Sequence, residues 1–232
     1  MESLLECRNL TKKYGAFTAL NNLNLTLNSG RIIGLLGPNG SGKSTLLKMI
    51  NGLLVPTHGD IKMAGSLIGP SSRELISYLP ERTYLPSSET VASFIDFFND
   101  FYSDFDRAKA NEMLSHLSIN PKAKLKTLSK GNKEKVQLIL VMSRNARLYC
   151  LDEPIGGVDP AAREYILNTI MKNYNPTASI LISTHLIEDI EDILDDVIFI
   201  QNGNLILYSP AEELRRREGK TVDALFREVF RC

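Results

Sequence analysis

Apolar and polar residues alternate along Leu23-Asn24-Leu25-Thr26-Leu27, the period of two that sets one face of a strand in a core and the other in water. The turn residues Asn28-Ser29-Gly30 follow, and residues 31–36 are then almost wholly apolar. Short continuous apolar runs suit strands covered on both faces, so residues 31–36, 148–151, 179–183 and 196–200 are predicted as buried strands. Between them, residues 43–51, 132–144, 160–172 and 186–194 carry helical patterns. This alternation predicts an α/β fold with a mixed or parallel sheet and helices on its faces. The amino-terminal part and the Asn202-Gly203 turn predict an added antiparallel β part.

Residues 89–126 break the rhythm. Residues 91–101 and 107–117 read as helices with no buried strand between them, which predicts a helical lobe inserted into the core. Its Phe94, Phe97, Phe98, Phe101, Tyr102 and Phe105 are expected to form the lobe's own small core, because aromatic rings carry large apolar area. A groove for a partner helix is the alternative. The expected layout is one domain over 1–232: a core from 1–81 and 147–232, the helical lobe at 82–146, and short charged helices at 211–232.

Composition narrows the class. A chain of 232 residues holds one large domain, or a core with a smaller inserted lobe. Lys+Arg and Asp+Glu both count 27, with no block of one sign, so no basic face points to nucleic acid and no such partner is expected. Cys7, Cys150 and Cys232 are scattered without a CxxC pair, which predicts neither a disulfide framework nor a zinc site and fits a reducing compartment. No basic and apolar leader follows Met1, so no secretory signal is expected. Apolar runs such as 136–142 fall far short of the roughly 20 residues that cross a bilayer, so a membrane role is expected to need a partner.

Chemistry concentrates after the first buried strand. Gly37-Pro38-Asn39-Gly40-Ser41-Gly42-Lys43-Ser44-Thr45 fits the P-loop pattern, between an apolar strand and a helix. Glycines let successive N–H groups curl toward phosphate oxygens; Lys43 offers a point charge, Ser44 a hydroxyl for Mg²⁺, and the following helix its positive end. Residues 147–154 then supply a buried strand ending in Asp152-Glu153, the Walker B arrangement. Asp152 is expected to hold Mg²⁺ through its water shell, and Glu153 to orient or deprotonate the attacking water. Ser129 can cap the helix after it, so that its hydroxyl, the Gly131 amide and the helix's positive end make a second anion site.

Leu128-Ser129-Lys130-Gly131-Asn132, shortly before the acidic pair, resembles the LSGGQ signature of ABC (ATP-binding cassette) proteins. Ile155-Gly156-Gly157-Val158-Asp159-Pro160 resembles their D-loop, Ser183-Thr184-His185 their switch histidine, and Tyr14 in Lys13-Tyr14-Gly15 their adenine-stacking aromatic. With the P-loop and Walker B these motifs stand in the family's order along nearly the whole chain. The resemblance implies an ATPase subunit of a transporter: a P-loop NTPase core with an antiparallel β part and an inserted all-helical lobe, using ATP and Mg²⁺. It implies a second ABC ATPase subunit, identical or not, closing head to tail on ATP, and a separate transmembrane subunit. The expected location is cytoplasmic, peripheral on the inner face of the cell membrane.

The same resemblance implies that Ser129 and Gly131 face the γ-phosphate held by the second subunit. His185 then steadies Glu153 and the γ-phosphate, Asp159 couples the two sites, and Tyr14 stacks on adenine. Two departures stand out. Glu81 replaces the usual glutamine; a carboxylate still faces Mg²⁺ or its water shell but lacks the amide's donors. Lys130 and Asn132 replace the usual Gly and Gln. Tyr78-Leu79-Pro80-Glu81 and the Ser-Lys-Gly variant resemble exporter-type subunits and favour export. The alternative is a soluble ABC ATPase that remodels a non-membrane partner such as an iron–sulfur assembly complex.

Overall fold

In the computed structural model, which describes residues 3–156 and 160–230, a long hairpin comes first. Its strands, β1 (Ser3–Tyr14) and β2 (Phe17–Asn28), turn at Gly15, whose φ of 58° is the left-handed region that glycine enters without strain. The predicted alternation in β2 holds: Leu23, Leu25 and Leu27 are buried while Asn24 and Thr26 face water. Next come β3 (Ile32–Leu36), α1 (Lys43–Ile50), β4 (His58–Met63), β5 (Ser66–Leu67), the short α2 (Pro70–Glu74) and β6 (Ile76–Leu79). Three helices follow, α3 (Val91–Phe101), α4 (Arg107–His116) and α5 (Lys130–Met142). The chain then runs through β7 (Leu148–Asp152), α6 (Pro160–Asn173), β8 (Ser179–Thr184), β9 (Asp196–Gln201), β10 (Asn204–Pro210), α7 (Ala211–Glu218) and α8 (Val222–Phe230).

Two sheets result. A four-stranded sheet has the order β2-β1-β4-β5 with antiparallel pairs, and a six-stranded sheet has the order β10-β9-β3-β8-β7-β6. In the second sheet only β10 runs antiparallel to its neighbour, so the fold is mixed α/β as the residue pattern predicts. Both faces of this sheet are covered, which is why its strands read as unbroken apolar runs. Ile33, Leu35, Leu181 and Ile198 meet the hairpin's leucines and Leu46, Leu47 and Ile50 of α1. Ile32, Leu36, Leu151, Ile182 and Phe199 meet the helices on the other side. Each such side chain contributes roughly 1.5–3 kcal/mol when fully buried.

The helices between β6 and β7 start on side-chain caps: Thr90 Oγ1 accepts from Ser93 N at 3.1 Å, and Asp106 Oδ1 from Lys109 N at 2.9 Å. Their aromatic residues divide between core and surface. Phe94, Phe98 and Phe105 are buried, whereas Phe97 and Phe101 are 59% and 68% exposed and stack on each other with centroids 5.8 Å apart. Helical spacing explains this correction, since 94 and 98 share the inner face and 97 and 101 the outer one.

A second correction concerns residues 186–194. The predicted helix is absent; turns lead into one 3-10 turn, Glu191–Ile193. Ile187, Ile190 and Leu194 still reach the core, so the apolar spacing served burial rather than a continuous helix. The segment is tied from outside itself. Leu186 N donates to Thr184 Oγ1, the Glu191 carbonyl accepts from Arg215, and the Glu191 carboxylate accepts from Asp223 N. Helix α8 covers β9, with the Phe226 ring meeting Phe199 edge to face at 5.7 Å. Among the described residues, no helix is long and apolar enough to cross a membrane.

Candidate functional site

The ends of β3 and β7 lie together because both strands flank β8, and this brings the two sequence motifs into one cleft of about 820 Å³. Asn39, Gly40, Ser41, Gly42, Lys43, Ser44 and Thr45 form one wall; Glu81, Glu153 and His185 face them. Gly40 and Gly42 have φ of 78° and 111°, so the loop's curl depends on residues without a Cβ. At Gly37 a Cβ would stand 2.3 Å from the Ile200 carbonyl oxygen, so close packing on β9 demands glycine there. Pro38 contributes through its carbonyl, which accepts from Ser41 N at 3.1 Å.

Lys43 is buried under this loop, with Nζ donating to the carbonyls of Gly37 at 2.6 Å and Pro38 at 3.2 Å. Burial holds its pKa below the ordinary lysine value, against the opposing pull of Glu153, Asp152 and Glu81. The N-terminus of α1 has no side-chain cap and no acidic residue in its first turn. The buried Ser41 hydroxyl has no partner. Free amides, an unpartnered hydroxyl and a buried ammonium together suit a phosphate chain.

Asp152 ends β7 almost fully buried, where its Oδ1 accepts from Ser183 Oγ and, at 3.2 Å, from Ser44 Oγ. Desolvation raises its pKa, and the two hydroxyls oppose that rise. A hydroxyl and a carboxylate so close form a hard oxygen pair, which fits Mg²⁺. Among the described residues no three His, Cys, Asp or Glu side chains gather into a metal cage. Glu81, just past β6, lines the same cleft.

Glu153 takes a left-handed backbone conformation, φ 51°, which turns its side chain away from Asp152's direction. Its Oε2 lies 3.0 Å from His185 Nδ1, while its backbone N donates to the Ser183 carbonyl. The arrangement offers one carboxylate for a metal and another, oriented by an imidazole, for a water.

Ser129 caps α5 as expected, accepting from Asn132 N at 3.3 Å. Neither Ser129 nor Gly131 lines the cleft, although Lys130 and Lys133 do. A Cβ added at Gly131 would meet open space. Tyr14 also stands outside the cleft's lining, with the Lys12 ammonium 5.2 Å from its ring centre. Phe17, its register partner across the hairpin, lines the cleft instead and is a residue that the sequence reading passed over. The signal was present: cross-strand partners share a face, so a ring at 17 accompanies the one at 14. Arg82 and Thr83 were also missed. Asp159 lies outside the described residues.

Comparison with known proteins finds relatives of this chain. Residues 20–156 match the family described as "ABC transporter". The chain is 31% identical to the ABC transporter ATP-binding protein YtrB of Bacillus subtilis (strain 168), over 91% of this chain and 74% of that one. It is likewise 31% identical to the SkfA peptide export ATP-binding protein SkfE of the same organism, over 97% and 98% of the two chains. A solved structure described as the ATP binding subunit of an ABC transporter superposes with a TM-score of 0.87 at 28% identity, covering 97% of this chain and 99% of the other.

Proposed function

The chain belongs to the ABC transporter family of ATP-binding proteins, and from that membership we propose that it hydrolyses ATP between two paired subunits to drive export through a separate transmembrane protein. It is an ATPase by family. The observation that carries the site assignment is that Ser44, bonded to Asp152, and the Glu153–His185 pair belong to one cleft with the P-loop.

In this reading Gly37 to Thr45 cradle the triphosphate of ATP, and Lys43 exchanges its loop carbonyls for phosphate oxygens. Ser44, Asp152 and, through the water shell, Glu81 would hold Mg²⁺, which would supply positive charge against that developing on the phosphates. Glu153 takes the proton of the attacking water, and His185 holds that carboxylate in place while reaching the γ-phosphate. Tyr14 or its partner Phe17 packs on the adenine. The open space around Gly131 and the exposed Ser129 hydroxyl support their assignment to the phosphate of the second subunit, with Asp159 linking the two sites.

We divide the chain into a core of 1–81 and 147–232 and a helical lobe of 82–146, with 211–232 as short terminal helices. At the junction of lobe and core a groove of about 490 Å³, lined by Leu53, Arg73, Tyr84, Phe98, Tyr102 and Arg144 among others, suits a helix of the transmembrane subunit. In this reading the chain lies on the inner face of the cell membrane. Export is favoured by the relative named for peptide export and by Glu81 in its Tyr-Leu-Pro-Glu setting. The soluble remodelling alternative is not favoured by relatives named as transporter subunits. Affinity purification from detergent-solubilised membranes tests the proposal: an integral membrane protein is expected to accompany the chain, and recovery with soluble proteins alone would count against it.

A further inference from the structure

Arg144 follows the carboxyl end of α5 and is buried to 3% exposure, outside the lining of the phosphate-loop cleft. Its guanidinium makes four hydrogen bonds. Nε donates to Asp104 Oδ1 at 2.9 Å and Nη2 to Asp104 Oδ2 at 3.1 Å, a two-point grip on the turn between α3 and α4. Nη1 donates to the Ile76 carbonyl at 2.6 Å, and Nη2 also donates to the Glu74 carbonyl. The guanidinium plane lies over the Tyr102 ring, 3.9 Å from its centre. One side chain therefore joins the helical segment, the root of β6 and the wall of the groove.

Two further contacts run along the same strand. Ser77 Oγ donates to the Val141 carbonyl at 2.9 Å, and Gln137 Nε2 to the Pro80 carbonyl at 3.2 Å. Helix α5 thus grips β6 at its root, its middle and its exit. Glu81 is the next residue after Pro80. A planar five-donor fork can satisfy two carbonyls and a carboxylate at once, whereas a lysine ammonium offers a point charge without that fixed fan.

We propose that Arg144 is a positioning residue for ATP hydrolysis: it seats the root of β6 so that Glu81 faces the metal position, and through Tyr102 it exposes that seating to whatever fills the groove. The inference rests on the reading of Glu81 as a group at the Mg²⁺ shell. Arg144 acts on the alignment of the reacting groups and touches no part of the phosphate cradle. Its loss lowers turnover and leaves ATP affinity nearly intact.

The test is a double-mutant cycle on the full chain, read in steady-state ATPase assays with Mg²⁺ and, independently of turnover, as Mn²⁺ affinity of the ATP-bound protein by electron paramagnetic resonance, which Arg144→Lys and Glu81→Ala are both expected to weaken. Arg144→Lys is expected to lower kcat about tenfold with KM for ATP changed less than about twofold. In a Glu81→Ala background the same substitution is expected to change kcat little further, because both act through one group. Asp104→Asn, at a carboxylate only partly buried, is expected to move kcat in the same direction and carries the test should Arg144→Lys fail to fold. Parental kcat in both Arg144→Lys and Asp104→Asn would overturn the proposal. So would independent, multiplying effects of Arg144→Lys and Glu81→Ala. If Glu81→Ala alone turns over at the parental rate, the reading of Glu81 fails first, and this route fails with it.

Discussion

His185 Nδ1 stands 3.0 Å from Glu153 Oε2, a pairing of two residues 32 positions apart. The two sit at the ends of neighbouring parallel strands, β8 and β7, so sheet register sets their separation. The left-handed backbone at Glu153 completes the pairing, at a conformational cost of about 1–3 kcal/mol. Gly156 makes room for it, because a Cβ there would come within 3.3 Å of Glu153's own Cβ and carbonyl oxygen. A backbone held in an unfavourable region beside an oriented carboxylate supports the proposal that Glu153 activates a water.

Glu153→Gln keeps the side chain's shape and a hydrogen bond to His185, but it removes the proton acceptor. Phosphate release is expected to fall about 10²–10⁴-fold, the share a general base supplies, while ATP affinity stays at the parental value. Light scattering with ATP should then report an accumulated dimer. Turnover at the parental rate would remove Glu153 from the role of base.

Gly131→Ala separates folding from the chemistry of a paired subunit. Among the described residues nothing beyond its own helix and chain neighbours lies within 4 Å of the added Cβ, and alanine favours a helix by about 1 kcal/mol over glycine, so the thermal midpoint should not fall. ATPase activity is expected to drop at least about tenfold, because in the proposed pairing the methyl group would occupy the approach to the second subunit's phosphate. A variant with parental activity would place Gly131 away from any phosphate.

Alkaline pH should destabilise the fold through two buried thiols. Burial pushes the pKa values of Cys7 and Cys150 from 9.0 up to about 12. The unfolded thiols therefore ionise first. Their contribution to stability is whole below pH 9 and is lost progressively as pH rises toward 12. Urea midpoints should fall between pH 8 and pH 10.5, and a Cys7→Ala/Cys150→Ala variant, less stable at pH 8 for its small cavities, should show a shallower fall. Equal slopes for variant and parent would refute the assignment.

Much of this protein is written locally. A P-loop needs its glycines, lysine and serine contiguous, and a strand covered on both faces needs an unbroken apolar run, so both are legible from neighbouring residues. The caps of α4 and α5 are local too, since Asp106 and Ser129 each bond a backbone amide three residues on.

What the tertiary structure decided is of another kind. Which rings on α3 are core was settled by the side from which α3 is covered, and the apolar spacing of residues 186–194 was satisfied by turns once Arg215 and Thr184 had claimed their ends. Phe17 enters the cleft because of hairpin register, and Arg144 joins Glu74, Ile76, Asp104 and Tyr102 across as many as 70 positions. Residue types set which contacts are chemically possible at each position. Only the folded chain, by bringing distant carbonyls, rings and carboxylates within about 3–4 Å, selects which of them form, because hydrogen bonds and ring contacts vanish beyond that reach.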